Sequence, residues 1–262
     1  MRPHRITLLS NPSRTAHALV SGGTRGLGYA IAGGLVEAGY RVTVLGRRAE
    51  SAATAAAALG AAGHVHADVR DREALEAALA EAVNGHGPVE VLVNNAGSAE
   101  TAPFRRTSVD QLRSMMALNV EPLLTAMQFV LPGMVEAGFG RIVTVASTAG
   151  LKGYAYASAY CASKHAAVGL TRAVALETAG TGVTVNAVCP GYADTDMIRQ
   201  SIDALHEKTG RPKEELLGNF TRQNPMGRLI DPVEVAGTVV WLAGANASAI
   251  TGQAVPVAGG EL

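Results

Sequence analysis

The chain has 262 residues, of which 48% are hydrophobic and 17% charged, so it is long and apolar enough to fold around a core and is unlike a disordered protein. Its 22 lysines and arginines balance its 22 aspartates and glutamates, which argues against nucleic-acid binding and against a polybasic membrane contact. No apolar run reaches the roughly 18 residues of a transmembrane helix. Cys161 and Cys189 are too few for a disulfide framework, and no histidine has metal-ligand spacing, so we expect no metal site and a reducing, cytoplasmic compartment.

Residues 1–17 are interpreted as a short, flexible N-terminal arm. They contain Arg2, Arg5 and Arg14 but no acid, and they lack the apolar run of a secretory signal. A transit peptide is the alternative. Residues 18–262 are interpreted as a single catalytic domain, because no linker-like gap or repeat interrupts them.

The first half of the chain alternates short apolar runs with helix-forming stretches. Strands are predicted over 18–21, 41–45, 64–67 and 88–93, and helices over 26–38, 49–62 and 72–84. Glycines at 39, 63 and 85 are expected to end the three helices.

The second half continues the alternation. Helices are predicted over 109–130, 157–178 and 232–242, and strands over 141–146, 182–188 and 253–257. Pro132-Gly133 is expected to end the first of these helices. The whole pattern predicts an α/β fold, a single-domain Rossmann-type doubly wound parallel sheet of about seven strands flanked by helices.

A glycine-rich turn with the spacing G-x-x-x-G-x-G lies between the first strand and the first helix. Free backbone N–H groups and the positive end of a helix bind pyrophosphate at such a turn, and glycines allow close approach. Helix–strand packing also selects small residues, but the strand–turn–helix context favours a dinucleotide. The candidate cofactor-binding residues here are Gly22, Thr24, Arg25, Gly26, Leu27 and Gly28.

The end of the second strand reads Leu45-Gly46-Arg47-Arg48, without the acid that would bind the ribose hydroxyls of NAD. Gly46 is expected to leave space there, and a guanidinium can bind a 2′-phosphate in bidentate fashion. Arg47, with help from Arg25, therefore favours NADP(H), while NAD(H) stays possible. The alternative is that Arg47 and Arg48 are solvated loop residues.

Tyr160 and Lys164 are spaced i and i+4, on one face of a predicted helix. A nearby ammonium favours the phenolate, so the pair can act as an acid–base near neutral pH. Ser147 follows a predicted strand, where its hydroxyl can meet a substrate carbonyl. A Tyr-x-x-x-Lys spacing is by itself usually a solvated helix face, and here the serine and the nucleotide turn favour catalysis.

With these motifs the chain resembles the short-chain dehydrogenase/reductase family from about residue 18 to residue 260, most closely bacterial 3-oxoacyl-thioester reductases and polyketide ketoreductases. The resemblance also rests on Asp68-Val69, Asn94-Asn95-Ala96-Gly97, Asn119, and Pro190-Gly191 with Thr195. Ser21 stands where threonine is usual and keeps a hydroxyl.

The resemblance implies a catalytic set in which Tyr160 is the proton donor or acceptor and Lys164 lowers the tyrosine pKa and binds the nicotinamide ribose. It further implies that Ser147 polarises the carbonyl and that Asn119 holds a water linked to Lys164. The remaining cofactor contacts that it implies are Asp68, Val69, Asn95, Ala96, Gly97, Pro190, Gly191, Tyr192 and Thr195. Alternatives remain for single residues: Asn119 as a helix asparagine bonded to a neighbour, Asp68 as a turn residue, and Thr195 as a helix N-cap.

The expected reaction is NADP(H)-dependent reduction of a ketone, on a 3-oxoacyl thioester or a similar small carbonyl substrate. Residues 193–228 are expected to cover the site, and their cations either meet thioester phosphates or are paired with neighbouring acids. An NAD-dependent 3-hydroxyacyl-CoA or secondary-alcohol dehydrogenase is the alternative, and a non-catalytic nucleotide-binding protein the second. A homotetramer or homodimer is also expected, because the outward faces of helices 109–130 and 157–178 keep small and apolar residues such as Ala162 and Ala167.

Overall fold

A computed structural model describes residues 15–262, apart from the side chain of Met197. Its centre is a seven-stranded sheet in the order β3-β2-β1-β4-β5-β6-β7, and every pairing is parallel. The strands are β1 His17–Ser21, β2 Arg41–Gly46, β3 Gly63–His66, β4 Val91–Asn94, β5 Gly140–Val145, β6 Val183–Pro190 and β7 Ala254–Val257. The predicted fold class is confirmed.

Helices cover both faces of this sheet. They are α1 Gly26–Glu37, α2 Ala49–Leu59, α3 Arg72–His86, α4 Val109–Asn119, α5 Glu121–Ala137, α6 Ser158–Thr178, α7 Asp196–Thr209, α8 Lys213–Thr221 and α9 Pro232–Ala243. Leu35 of α1 and Val239 of α9 pack in one of the two largest core clusters, and Leu79 of α3 and Met127 of α5 pack in the second. The order of strands reverses between β1 and β4, and such a switch point opens a crevice at the carboxyl edge of a parallel sheet.

The prediction of a single helix over 109–130 is wrong in two respects, its continuity and its C-terminal end. It divides at Val120, whose backbone leaves the helical region, into α4 and α5. The second helix then continues through Pro132 to Ala137 and ends at Gly138, which is left-handed with φ 64°. Pro132 is tolerated because it lies on the exposed face, where water can bond the carbonyl that loses its partner.

Residues 109–137 are long and apolar enough to span a membrane, with a mean hydropathy of 1.2. They are instead two helices of the fold, since Met115, Leu123, Met127 and Val130 are buried in it. The stretch is a core element and not a membrane span.

Several element boundaries differ from the predicted ones. The α3 helix runs through Gly85 to His86, while α2 ends at Leu59, before Gly60, which adopts the left-handed conformation. The segment 193–228 is more regular than expected, because it holds α7 and α8. The strand β1 begins at His17, which is fully buried, so the end of the predicted arm belongs to the sheet; residues 1–14 lie outside the described residues.

Candidate active site

The glycine turn after β1 is a close-packed cradle. Gly22 and Gly26 have positive φ of 66° and 55°, which favours glycine. A Cβ atom on Gly28 would lie 2.2 Å from the carbonyl oxygen of Gly22, so no larger residue fits there. A Cβ on Gly26 would instead be 3.6 Å from Thr195 Cγ2, which places the start of α7 beside the turn.

The N-cap side chain does not cap the N-terminus of α1. Its N-cap residue, Arg25, makes no side-chain cap hydrogen bond, and the first turn holds no acid. The first N–H groups of a helix need acceptors, and the positive end of the helix dipole favours an anion. This cradle fits the pyrophosphate of a dinucleotide.

The loop after β4 is tied to the same turn. Ser21 Oγ accepts hydrogen bonds from the backbone N of Asn95 at 3.0 Å and of Ala96 at 3.1 Å. The Asn95 amide donates to the carbonyls of Ser21 and Gly22. The hydroxyl at position 21 therefore joins the two strands on either side of the switch point.

Arg47 is placed as the sequence predicts, whereas Gly46 is not. Arg47 and Arg25 are exposed, as a phosphate contact requires. Gly46 is buried, and a Cβ on it would lie 2.5 Å from Thr24 Cγ2 and 3.1 Å from Ala52 Cβ. The expected space at Gly46 does not exist, because α2 and the turn pack directly on its backbone.

Asp68 is held by an arginine. Arg70 forms a two-pronged contact with its carboxylate, at 2.6 and 3.0 Å, which lowers the pKa of Asp68 to about 2; Arg47 contributes less. The Asp68 carbonyl also accepts from Asp71 N, as in a turn. Val69, the next residue, is partly exposed at the carboxyl end of β3.

Ser147 and Tyr160 meet at the carboxyl edge of β5. Ser147 follows the strand, its oxygen accepts from Ala149 N at 3.1 Å, and its hydroxyl lies close enough to the Tyr160 phenol to lower the pKa of that phenol. Burial raises the pKa of Tyr160, and the Ser147 hydroxyl offsets part of this shift. The expected lowering of the Tyr160 pKa is therefore wrong, because removal of the phenol from water raises it.

Lys164 is buried and directed at the sheet. Its Nζ donates to the carbonyl of Val145 at 3.0 Å and lies 5.9 Å from the centre of the Tyr160 ring. Burial lowers the pKa of Lys164 to about 8. Cys189, which is fully buried, lies close enough for its thiol to raise that pKa slightly.

Asn119 ends α4 and is 1% exposed. Its amide nitrogen donates to Ser98 O and to Ser163 Oγ, both at 3.0 Å, and its oxygen accepts from Ser98 N. A Cβ on Gly97 would lie 2.7 Å from Asn119 Oδ1 and 3.7 Å from Lys164 Nζ. The side chain therefore joins the β4 loop to α6 next to Lys164; a water on Asn119 stays a prediction.

The loop after β6 lies at the same edge of the sheet, beside the candidate catalytic residues. Pro190 ends the strand, Gly191 N donates to Val257 O, and the Tyr192 ring packs edge to face on Phe220 of α8. Thr195 is the N-cap of α7 without a side-chain cap bond. The residues of the predicted site thus surround one edge of the sheet.

The cations of segment 193–228 are mostly paired. Ion pairs join Arg199 to Asp194, Lys213 to Asp203, Arg211 to Glu215, and Arg228 to Glu234. Within residues 15–262, Lys208 and Arg222 have no such pair. The interpretation of these cations as phosphate contacts is weakened accordingly.

The chain is similar to known proteins over most of its length. Residues 16–206 match the short chain dehydrogenase family. The chain is 38% identical to an acetoacetyl-CoA reductase of Shinella zoogloeoides, over 93% of this chain and 97% of that protein. It is also 38% identical to a 3-oxoacyl-(acyl-carrier-protein) reductase of Vibrio harveyi, over 93% and 96%. A crystal structure of an actinorhodin polyketide ketoreductase variant with NADPH matches with a TM-score of 0.89 and 39% identity, over 94% of this chain and 97% of that one. The chain belongs to the short-chain dehydrogenase/reductase family.

As a member of the short-chain dehydrogenase/reductase family, the protein is an oxidoreductase that acts on CH–OH or C=O groups of small substrates with NAD(P). Among the described residues, no group of three or more His, Cys, Asp or Glu side chains is placed to hold a metal ion.

The sequence interpretation missed a cluster beside this site. Lys152 and Tyr154 meet Glu261, although Glu261 lies more than a hundred residues further along the chain. No local pattern marks them, because a lysine and a tyrosine in a loop and a glutamate after paired glycines are ordinary surface residues.

Proposed function

We propose that this protein reduces a ketone to a secondary alcohol with NADP(H), on a 3-oxoacyl thioester or a similar carbonyl substrate. The observation that carries the proposal is that Ser147, Tyr160 and buried Lys164 come together at the carboxyl end of β5, at the same sheet edge as the glycine cradle. Residues 18–262 act in this proposal as one catalytic domain, with 193–228 over the substrate.

The cradle residues and the loops around them would hold the dinucleotide. Gly22, Thr24, Gly26, Leu27 and Gly28 would receive the pyrophosphate at the uncapped end of α1. Asp68 and Val69 would contact the adenine. Asn95, Ala96 and Gly97 would line the cleft, and Pro190, Gly191, Tyr192 and Thr195 would face the nicotinamide side. When bound, the nicotinamide supplies the hydride that such a reduction needs.

The protein's own residues manage the proton. The Tyr160 phenol, kept protonated by its raised pKa, would donate to the developing alkoxide. Ser147 would orient the carbonyl through its hydroxyl. Lys164 would bind the ribose and stabilise the phenolate left behind, with Asn119 supporting the loop beside it.

A preference for NADP(H) is supported by the exposed guanidinium groups of Arg47 and Arg25 and by the NADPH of the related crystal structure. NAD(H) is the alternative. Arg70 does not compete for a phosphate in the same way, because Asp68 neutralises it.

We also propose that the protein forms a homodimer or a homotetramer. Leu112, Leu124, Val135 and Leu176 expose apolar surface on α4, α5 and α6. Ala167 does not contribute as expected, since it is fully buried in the core. Light scattering that shows a stable monomer at micromolar concentration would contradict the assembly.

We also propose a cytoplasmic location, in keeping with two buried free cysteines.

One assay tests the function most directly. NADPH oxidation is followed with acetoacetyl-CoA, a longer 3-oxoacyl thioester and a bicyclic ketone such as 2-decalone, with NADH in parallel. Turnover of at least one ketone by the wild type, lost in Tyr160→Phe, supports the proposal. Turnover of none of them by a protein that binds NADPH would reject it.

A further inference from the structure

Glu261, which follows β7, places a buried carboxylate beside the candidate site. Its side chain is 1% exposed, and its Oε1 lies 3.0 Å from Lys152 Nζ. The Tyr154 hydroxyl also donates to it. A carboxylate is expensive to bury unless it is paired and hydrogen-bonded, so this arrangement is a built feature and not an incidental contact.

The carboxylate joins the two loops that carry the proposed site. The Tyr154 hydroxyl is 2.6 Å from Thr148 Oγ1, and Thr148 directly follows Ser147. On the other side, a Cβ on Gly191 would lie 3.0 Å from Glu261 Oε2. The loop after β5 and the loop after β6 are therefore held against one group.

Three aromatic rings extend from this contact, and we name Tyr154, Tyr192 and Phe220 the aromatic wall. Tyr154 and Tyr192 pack edge to face with centroids 6.1 Å apart, and Tyr192 and Phe220 with centroids 5.1 Å apart. Tyr154 and Tyr160 pack against the same small cluster of buried residues. The wall therefore stands next to the phenol that we assign as the proton donor.

We infer that Glu261 is a positioning residue that fixes Tyr154, and through it the aromatic wall that selects substrates with a bulky apolar body over short ones. This inference rests on the proposed function. Its physical basis is that the Tyr154 hydroxyl donates to a buried acceptor, and this hydrogen bond holds the ring in one position. A fixed ring presents a preformed apolar surface, which binds a bulky group at lower entropic cost.

The test is selectivity, measured as kcat/KM for 2-decalone relative to acetoacetyl-CoA. Loss of a hydrogen bond to a charged group corresponds to roughly a tenfold effect or more. We expect Glu261→Ala and Tyr154→Phe each to lower this ratio by about tenfold, through KM for the bulky ketone, with KM for NADPH unchanged. The double variant should add little to either single change, because both remove the same bond.

Two comparisons separate positioning from a general structural role. Glu261→Gln keeps an acceptor for Tyr154 and should keep most of the ratio, whereas Glu76→Ala, which breaks the exposed pair with Arg72, should leave it unchanged. An equal loss for both substrates, or the same loss in the Gln and Ala variants, would overturn the inference.

A second measurement does not depend on turnover. Amide hydrogen exchange of residues 148–157 should be faster in Glu261→Ala than in wild type by about tenfold, and close to wild type in Glu261→Gln. Unchanged protection in Glu261→Ala would overturn the anchoring role even if the enzyme is active. If the wild type reduces no ketone, the proposed function fails and this exchange result still decides the anchor.

Discussion

Lys164 Nζ lies 5.9 Å from the centre of the Tyr160 ring, yet its ammonium donates to the carbonyl of Val145. Tyr160 in turn lies beside Ser147, whose hydroxyl offsets part of the rise in the Tyr160 pKa. The proposed proton donor and its neighbouring cation are thus held by different groups at the end of β5 and are not hydrogen-bonded to each other. This arrangement lets the phenol and the ammonium be tested separately.

Tyr160→Phe should abolish turnover and leave NADPH binding largely intact. The ring still packs, but the proton can no longer be delivered, and general acid catalysis is typically worth about 100- to 10,000-fold. The measurement is kcat with the best ketone together with the NADPH Kd from fluorescence. Tyr156→Phe is the matched control, since that tyrosine is exposed and its backbone carbonyl, which the change leaves in place, accepts from Ala102 N. Retention of more than about a tenth of the wild-type rate would show that Tyr160 is not the acid.

Lys164→Met should change how stability depends on pH. The pKa of Lys164 is lowered from 10.5 to about 8, so between these values the unfolded chain binds more protons than the folded one. Stability from this group therefore rises with pH across that window, by up to about 3 kcal/mol, as the cost of burying the ammonium is relieved.

The measurement for Lys164 is the free energy of unfolding in urea between pH 7 and pH 10, compared between wild type and Lys164→Met. The rise should be present only in the wild type, and Lys164→Met should also lose ketone reduction. Lys208→Met is the control, because Lys208 is exposed. Parallel pH curves for wild type and Lys164→Met would contradict the lowered pKa.

The local motifs were predictable from sequence, and the packing that uses them was not. The glycine turn and the Tyr160–Lys164 spacing are set by neighbours within a few residues, so the sequence identifies them. The bond from Lys164 to Val145 and the contact of Gly46 with Thr24 join elements far apart in the chain, and no periodicity encodes them. Glu261 is the clearest case, since its partners lie in a loop that the strand–helix alternation does not describe.

Gly28→Ala should greatly weaken NADPH binding. Its Cβ would lie 2.2 Å from the Gly22 carbonyl oxygen and 2.4 Å from Asn95 Nδ2, so the turn must open and the uncapped N–H groups move. The measurement is NADPH affinity alongside thermal unfolding. Gly133→Ala in α5 is the control, because nothing lies within 4 Å of its Cβ position. This control should keep its affinity and gain about 0.5–1 kcal/mol of stability from helix propensity. Unchanged affinity in Gly28→Ala would contradict the cradle.

His17 should make the protein lose stability as pH falls below neutral. The ring is fully buried between the Gly87 carbonyl and Thr43 Oγ1, each 2.8 Å away, and burial, His86 and Arg41 all lower its pKa. As the pH falls below neutral, the unfolded chain therefore binds a proton on His17 that the folded chain does not bind. The resulting slope is at most about 1.4 kcal/mol per pH unit.

His17→Gln should flatten this slope between pH 7 and pH 5, measured by urea unfolding. His64→Gln, at an exposed position, should not. Because the comparison uses slopes, any constant loss of stability in the variant does not affect it. Equal slopes in wild type and His17→Gln would show that another group controls the acid limb.

Arg47 is expected to set the choice of cofactor. A 2′-phosphate adds close to two negative charges, and an exposed guanidinium–phosphate contact is worth about 1.5–3 kcal/mol before solvent screening reduces it. With Arg25 contributing from the turn, we expect kcat/KM to favour NADPH over NADH by roughly 10- to 1000-fold. Arg47→Ala should lower kcat/KM for NADPH by about tenfold and leave that for NADH nearly unchanged.

Arg48→Ala is the control for Arg47→Ala. Because Arg48 is the adjacent exposed residue, its loss should affect the two cofactors equally.

The packing around Gly46 decides how the cofactor preference can be moved toward NADH. Gly46→Asp would place an acid at the end of β2, but its Cβ would lie 2.5 Å from Thr24 Cγ2, so stability would fall before specificity changed. Arg47→Asp avoids that clash and places a carboxylate on the exposed side of the same loop, where it repels the 2′-phosphate and can accept from ribose hydroxyls. Arg47→Asp should therefore move the preference toward NADH. If instead Arg47→Ala lowers both efficiencies equally, Arg47 is a solvated loop residue, and the NAD-dependent alcohol dehydrogenase becomes the better account of this protein.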